Sequence, residues 1–473
     1  MPFRLLAMTF AILLTTAVAR AATDNAYNSL AHDIFKELIE IDTTDSVGNV
    51  TTAAEAMAKR LLDAGFPAKD VQLLGPNERK KNLVVRFHGT GKRKPILLFG
   101  HLDVVEVQRE NWNTDPFKLV ENDGYFYGRG TADMKNSDAI MVATLIRLKK
   151  EGFRPSRDII LALTADEEGG ASNGVEWLVN HHRDLIDAEF AINTDGYSIL
   201  ADKGKALRYE MYGTEKVYAD YLLTATNRGG HSSLPRPDNA IYELTDALSK
   251  LEGYEFPFEL NDVTRAYYER MSGAETGERA ADMRAILRTP PDVAAIERLS
   301  RDARDHATMR TTCVATRLRG GHANNALPQQ AQATVNCRIL PSHTPEEVRQ
   351  ALAEVIANPA IKVQYLSVDG AAHDTATDIH GFPPPALSTE VMRPLEQLVR
   401  EMWPGIKVAP AMSLGASDAV FTMSAGLPTY NITGNLQDQD DIRAHGLDER
   451  IRVDSFYKGL DFLYRYLKAI TAK

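Results

Sequence analysis

Five short segments rich in acid and histidine interrupt the apolar runs of this chain, and they restrict its fold more than any other feature. They are Gly100-His101-Leu102-Asp103, Gly128-Arg129-Gly130-Thr131-Ala132-Asp133-Met134-Lys135, Asp166-Glu167-Glu168-Gly169-Gly170, Asn193-Thr194-Asp195-Gly196 and Arg443-Ala444-His445-Gly446. Three of them follow continuous apolar stretches. His101 comes after Ile96–Gly100, Glu167 and Glu168 after Ile159–Ala165, and Asp195 after Phe190–Asn193. In open α/β sheets, ligands gather at the carboxyl ends of strands. Three independent segments obey that rule here.

The surrounding pattern is an alternation of helix and strand. Asp33–Ile41, Ala53–Ala64 and Ser137–Lys150 read as helices, the last with Ile140, Met141, Thr144, Leu145 and Leu148 on one stripe. Asn82–Phe87, Pro95–Gly100, Asp158–Ala165 and Glu189–Asn193 read as buried strands. The expected class is α/β, a mostly parallel sheet sandwiched by helices. The texture changes near 214. Tyr218–Thr226, Thr311–Arg319, Gln332–Leu340 and Ile361–Leu366 read as strands, Asn239–Leu251 and Pro345–Ile356 as helices, and a charged stretch from about 254 to 310 as an inserted, mostly helical piece. Without the insert the order is βαββαβ, a ferredoxin-like α+β lid inserted into the first domain. The turn at Pro383–Pro385 marks the return, after which Pro428–Ile432 supplies a strand and Asp448–Leu467 a helix. The domains expected are a leader at 1–21, a catalytic domain in two parts at 22–213 and 369–473, and the lid at 214–368 between them.

The leader reading rests on Arg4 before the apolar stretch Leu5–Val18, followed by Ala19-Arg20-Ala21. This is a secretory signal pattern. The apolar stretch is short for a span, which takes about 20 residues, so the expectation is an exported, periplasmic or extracellular protein with no membrane anchor after cleavage near Ala22. A retained anchor is the alternative. The net charge of −10 argues against nucleic acid as a partner. Cys313 and Cys337 lie symmetrically about Asn325 in a strand–loop–strand segment. They read either as a disulfide, permitted by export, or as two small buried residues.

His101, Asp133, Glu168, Asp195 and His445 suffice for two zinc ions if one carboxylate is shared. Each also has an ordinary reading: His101 a loop histidine, Asp133 a helix N-cap, Glu167 and Glu168 solvated charge, Asp195-Gly196 a turn, His445 a surface residue. Their joint placement beside buried strands and glycine turns favours metal, because a buried carboxylate is costly unless paired or metal-bound. No G-x-S-x-G elbow is present, since Gly415-Ala416-Ser417-Asp418-Ala419 lacks the last glycine, and no H-E-x-x-H occurs.

The segments at 100–105, 128–135 and 166–168, with Gly229-Gly230-His231-Ser232 and Arg443-Ala444-His445-Gly446, resemble a dizinc metallopeptidase and aminoacylase family. Its members include aminoacylase, acetylornithine deacetylase, succinyl-diaminopimelate desuccinylase, carnosinase, vacuolar carboxypeptidase S and bacterial glutamate carboxypeptidase. The resemblance spans about 30 to 470. It implies that Asp133 bridges two Zn2+ ions, with Co2+ or Mn2+ as substitutes. His101 and Asp195 would complete one ion, and Glu168 and His445 the other. Asp103 would hydrogen-bond His101 and fix its tautomer, and the 133–134 peptide would be cis. His231 would be a lid histidine that donates to the oxyanion, from the partner subunit in dimeric members. Asn324, Asn325, Arg338 and Gly415 would bind substrate, Arg338 through its bidentate fork.

The expected reaction is cleavage of an amide next to a carboxylate-bearing residue, by a metal-bridged water with Glu167 as general base. The substrate is a small peptide or an N-acyl amino acid. A dipeptidase, or a reversible N-acyl amino acid synthase and hydrolase, is the alternative enzyme, and an inactive binding relative the remote one. Assembly is expected as a homodimer through the lid, unless the 254–310 insert covers that edge.

Overall fold

The computed structural model describes residues 24–376 and 381–472. The leader expected at 1–21 lies outside them. Among the described residues, no helix is long and apolar enough to cross a membrane. The chain forms two compact units. One comprises the residues through Tyr209, Glu390–Lys407 and the chain from Ile432 on; the other is Glu210–Thr389 with Val408–Asn431.

The first unit contains the strands β1 (Val71–Leu74), β2 (Asn82–Phe87), β3 (Arg93–His101), β4 (Arg157–Thr164) and β5 (Phe190–Asn193). Their order is β1-β2-β4-β3-β5. β3 runs parallel to β4 and β5, while β1 and β2 add an antiparallel edge. The central strands are buried almost throughout, as continuous Val/Ile/Leu runs require when helices cover both faces. The helix Lys135–Lys150 packs against β3 and against the C-terminal helix Val453–Ile470. An aromatic group ties this layer together, with Phe456 stacked on Phe35 at 4.8 Å and edge-on to Phe126 at 5.8 Å. The 448–467 region differs from its sequence reading. Arg450–Arg452 is a strand paired with Tyr125–Tyr127, and the helix begins only at Val453. Three residues of strand are too few for a period to register.

The second unit contains β6 (Val217–Thr226), β7 (Thr312–Gly320), β8 (Gln330–Ile339) and β9 (Ile361–Leu366) in the order β7-β8-β6-β9, all antiparallel. The helices Ala240–Glu252 and Pro345–Ile356 complete the ferredoxin-like pattern. The latter opens on a capping box of Thr344 and Glu347 with proline in its first turn. Cys313 and Cys337 lie directly opposite each other on β7 and β8 and form a disulfide. The insert folds into four short helices between Asp262 and Thr308, three of them N-capped by Asn261, Asp292 and Asp302. The strand Val408–Ser413 joins this unit, although the sequence reading kept 369–473 in the catalytic block. Ala409 and Ala411 share a core with Tyr268, Met271 and Met309, and Arg270 Nη1 donates to the Val408 carbonyl at 2.9 Å.

One buried cation in this unit gives a test of pH dependence. Lys216 has no exposed surface, and its ammonium donates to the Arg310 carbonyl at 2.7 Å. Burial, reinforced by the Arg338 and Arg310 charges, lowers its pKa from 10.5 to about 7. Between those values the unfolded chain binds more protons than the native one, so stability rises with pH. Urea midpoints at pH 7 and pH 9 should show a wild-type rise that Lys216→Met lacks by about 2 kcal/mol. Equal rises in the two proteins would contradict this.

Candidate metal centre

The sheet register assembles the site. His101 ends β3 level with Thr164 of β4, and Phe99 is level with Asn193 of β5. Two residues further on each, His101 and Asp195 come alongside one another, and Glu167 and Glu168 follow Thr164 on the other flank. Asp133 lies just before the helix Lys135–Lys150. The pairing of Arg450 with Tyr127 carries the 445–449 segment to the 128–133 turn. All five expected ligands and Glu167 belong to the first unit.

Their donor atoms converge in three groups, each with atoms within 4.8 Å of one another: His101, Asp133 and Asp195; Asp133, Glu168 and His445; His101, Glu167 and Glu168. Asp133 turns one carboxylate oxygen to each imidazole. Oδ1 is 3.1 Å from His101 Nε2, and Oδ2 is 3.2 Å from His445 Nε2. Glu168 Oε1 is 2.9 Å from His445 Nε2, and Glu167 Oε2 is 3.9 Å from His101 Nε2.

Electrostatics shows what this gathering of acids demands. Burial alone lowers the His101 pKa, but the Asp133 hydrogen bond and the charges of Glu167, Asp103 and Asp133 hold it well above its ordinary value. Hydrogen bonds to Asp133 and Glu168 raise His445 to about 10. Burial raises the Glu168 carboxyl. Asp133 is pushed up by burial, yet its two histidine partners hold it well below the carboxylate range. Four carboxylates and two imidazoles at ligand spacing are the hard oxygen and borderline nitrogen donors that suit paired divalent cations. The residues present therefore fit the metal pair.

The backbone is fixed with matching care. His101 Nδ1 donates to the Asp103 carbonyl at 3.1 Å, which leaves Nε2 facing Asp133. The expected hydrogen bond between Asp103 and His101 thus runs through the Asp103 carbonyl, while its carboxylate stands 3.6 Å from Nδ1 and accepts from the Glu167 and Glu168 amides at 3.3 and 3.0 Å. It acts as the anchor of the glutamate turn. Asp166, in the left-handed region at φ 57°, ion-pairs with buried Lys80. A Cβ on Gly170 would stand 2.5 Å from the Asp166 carboxylate, so this turn requires glycine there. His445 is also left-handed, at φ 61°, a conformation costing roughly 1–2 kcal/mol for an L-residue. The Asp133–Met134 peptide is cis, as the resemblance implied.

The remaining expected residues lie in the second unit. Gly230–His231 pairs with Ala326–Leu327, and Ser232 N donates to the Asn325 carbonyl at 3.1 Å. His231 and the Asn324-Asn325 turn thus share one ribbon. His231 Nδ1 accepts from the Ser233 amide at 3.2 Å, which leaves Nε2 to carry the proton. Arg338 on β8 lies directly opposite Tyr218 on β6, with its guanidinium over that ring at 4.7 Å. Gly415 is exposed on the turn after Val408–Ser413, its amide donating to Ser413 Oγ.

Sequence reasoning did not find Glu449 and Arg129. Glu449 is fully buried and pairs with Arg129 at 2.6 Å beneath the Asp133 turn. The available signal was an acid four residues after a ligand histidine.

This arrangement defines a metal-dependent hydrolase with an α/β unit that carries the site and a second, ferredoxin-like unit. Residues 97–469 match the family model described as peptidase family M20/M25/M40, and the chain belongs to that family, as an enzyme of its metallopeptidase and amidohydrolase class. The probable carboxypeptidase S-like 2 of Dictyostelium discoideum is 29% identical over 402 residues, covering 79% of this chain and 71% of that protein. The N-fatty-acyl-amino acid synthase/hydrolase PM20D1 of Homo sapiens is 28% identical over 392 residues, covering 79% and 74%. Among solved structures, the metallo-carboxypeptidase Sso-CP2 of Sulfolobus solfataricus superposes with a TM-score of 0.70 at 16% identity, covering 94% of this chain and 99% of that one, and shares the fold.

The Asp103 anchor is testable. Asp103→Ala frees two half-buried amides and lets the Glu167–Glu168 turn drift. Turnover should fall about 10–100-fold while far-UV circular dichroism stays unchanged. Wild-type turnover would show that the turn holds itself.

Proposed function

We propose that this chain is an exported dizinc hydrolase that cleaves an amide whose nitrogen belongs to a carboxylate-bearing residue. The substrate is a peptide trimmed at its C-terminus or an N-acyl amino acid. The observation that carries this reading is the Asp133 carboxylate, which turns Oδ1 to His101 Nε2 at 3.1 Å and Oδ2 to His445 Nε2 at 3.2 Å, with Glu167 a converging carboxylate that is not needed to complete either pair. His101 and Asp195 would hold one ion with Asp133, and Glu168 and His445 the other. When bound, the two cations acidify water and polarise the scissile carbonyl. Glu167 accepts the proton at its carboxylate and returns it to the leaving nitrogen. His231 offers its Nε2–H to the developing oxyanion. Arg338, with Asn324, Asn325 and the Gly415 backbone, recognises the free carboxylate of the substrate.

The relatives support the substrate class. A carboxypeptidase and an N-fatty-acyl-amino acid hydrolase both act on an amide adjoining an amino acid with a free carboxylate. The second of these names also includes synthesis, so reversible condensation of an acyl group with an amino acid is the reading to set beside hydrolysis. Export is supported by the leader pattern and by the Cys313–Cys337 disulfide, since such bonds persist in oxidising compartments. A homodimer through the second unit is supported by β7, an edge strand on which Val314 and Leu318 are 60% and 73% exposed.

Glu167→Ala separates metal binding from proton transfer. The variant should retain two zinc ions per chain and lose about 10²–10⁴-fold in turnover. Unchanged turnover would remove Glu167 as the base. The metal-loaded wild-type protein, screened over C-terminally varied peptides and N-acyl amino acids with a chelator control, assigns the substrate.

A further inference from the structure

We infer that Glu449 and Arg129 are positioning residues that set the distance between Asp133 and His445 and so hold the second metal position in register. The inference rests on the paired-cation reading and adds to it two residues outside the ligand set.

The geometry is specific. Glu449 has no exposed surface and Arg129 is 3% exposed. Glu449 Oε1 accepts from the Ala132 amide at 2.7 Å and the Asp133 amide at 3.0 Å. Oε2 accepts from Arg129 Nη1 at 2.6 Å and the Gly130 amide at 3.1 Å. Four donors engage one carboxylate, and three of them are backbone groups of the turn that ends in Asp133. The link is doubled in the opposite direction. Arg129 Nη2 donates to the Gly446 carbonyl at 3.2 Å, and the Glu449 carbonyl accepts from the Gly128 amide at 3.1 Å. Two segments 320 residues apart at the Arg129–Glu449 contact are locked together. Across that lock, Asp133 Oδ2 faces His445 Nε2.

Bonds to a buried ion are stronger than neutral ones, and a partner removed from such a set leaves buried donors unmet. Glutamine at 449 keeps one acceptor oxygen for Ala132 and Asp133 but turns an NH2 towards Arg129 and Gly130, so half the clamp becomes repulsive. Lysine at 129 keeps the charge beside Glu449 and loses the fork that also reaches Gly446. Both changes loosen the 128–133 turn against the 445–449 segment and leave the His101 and Asp195 donors on their own strands.

The test uses full-length metal-free protein titrated with Co2+, followed by visible absorption and by competition with a chelating dye, with circular dichroism and thermal melting as folding controls. Wild type should bind two cobalt ions. Glu449→Gln should bind the first with near wild-type affinity and the second about 10–100-fold more weakly, and Arg129→Lys should weaken the second about 10-fold. If Glu449→Gln does not fold, Arg129→Lys decides alone. Variants that melt at lower temperature but bind both ions with wild-type affinity and spectra have lost only stability, and that result overturns the inference. A wild type that binds no pair of ions overturns the paired-cation reading itself, which is a separate outcome.

Discussion

The mutual repulsion of four carboxylates governs this structure. Asp133, Glu167, Glu168 and Asp195 crowd around two imidazoles at ligand spacing. Like charges about 4 Å apart repel by roughly 4 kcal/mol at the effective dielectric of a protein surface. Such a cluster persists only where the turns that carry the acids are braced and positive charge offsets the sum. The fold meets the first need with Asp103 under the glutamate turn, Lys80 on Asp166, and Glu449 under the aspartate turn. The raised histidine pKa values express the second.

Rigid elements carry the ligands and turns carry the adjustment. His101 is the last residue of a buried parallel strand, and Asp195 follows another by two residues. Asp133, Glu168 and His445 sit on turns, two of which pass through left-handed residues near the ligands. This suits a site in which strand ends define one metal position and a braced pair of turns defines the other. The second unit carries different chemistry of its own, a histidine with a defined tautomer on a short ribbon and an arginine held over a tyrosine ring.

Strong periodicity made much of the fold legible. The buried strands around Asn82–Phe87 and Ile159–Thr164 and the helices Lys135–Lys150 and Pro345–Ile356 emerged within a few residues of their ends, because long apolar or amphipathic runs outweigh local noise. Of the expected ligands, His101, Glu168 and Asp195 were legible as candidates because each follows such a run. Val71–Leu74 and Arg450–Arg452 were not, being short and half-exposed. Val408–Ser413 falls in the second unit, because its side chains pack against an insert distant in sequence. Asp103 was legible as the partner of His101, but not as the acceptor of the glutamate amides. Spacing places an acid beside His101, and only coordinates reveal that its oxygens face the Glu167 and Glu168 amides. Glu449 left no periodic trace, since its work is done entirely through backbone groups of another segment.

The central claim, that Asp133 is shared between two cations, is tested most directly by anomalous X-ray scattering from crystals of the zinc-loaded protein. Two peaks at the zinc edge, about 3.5–4 Å apart and flanking the Asp133 carboxylate, are the predicted result. A single peak, or peaks remote from His101 and His445, would contradict it.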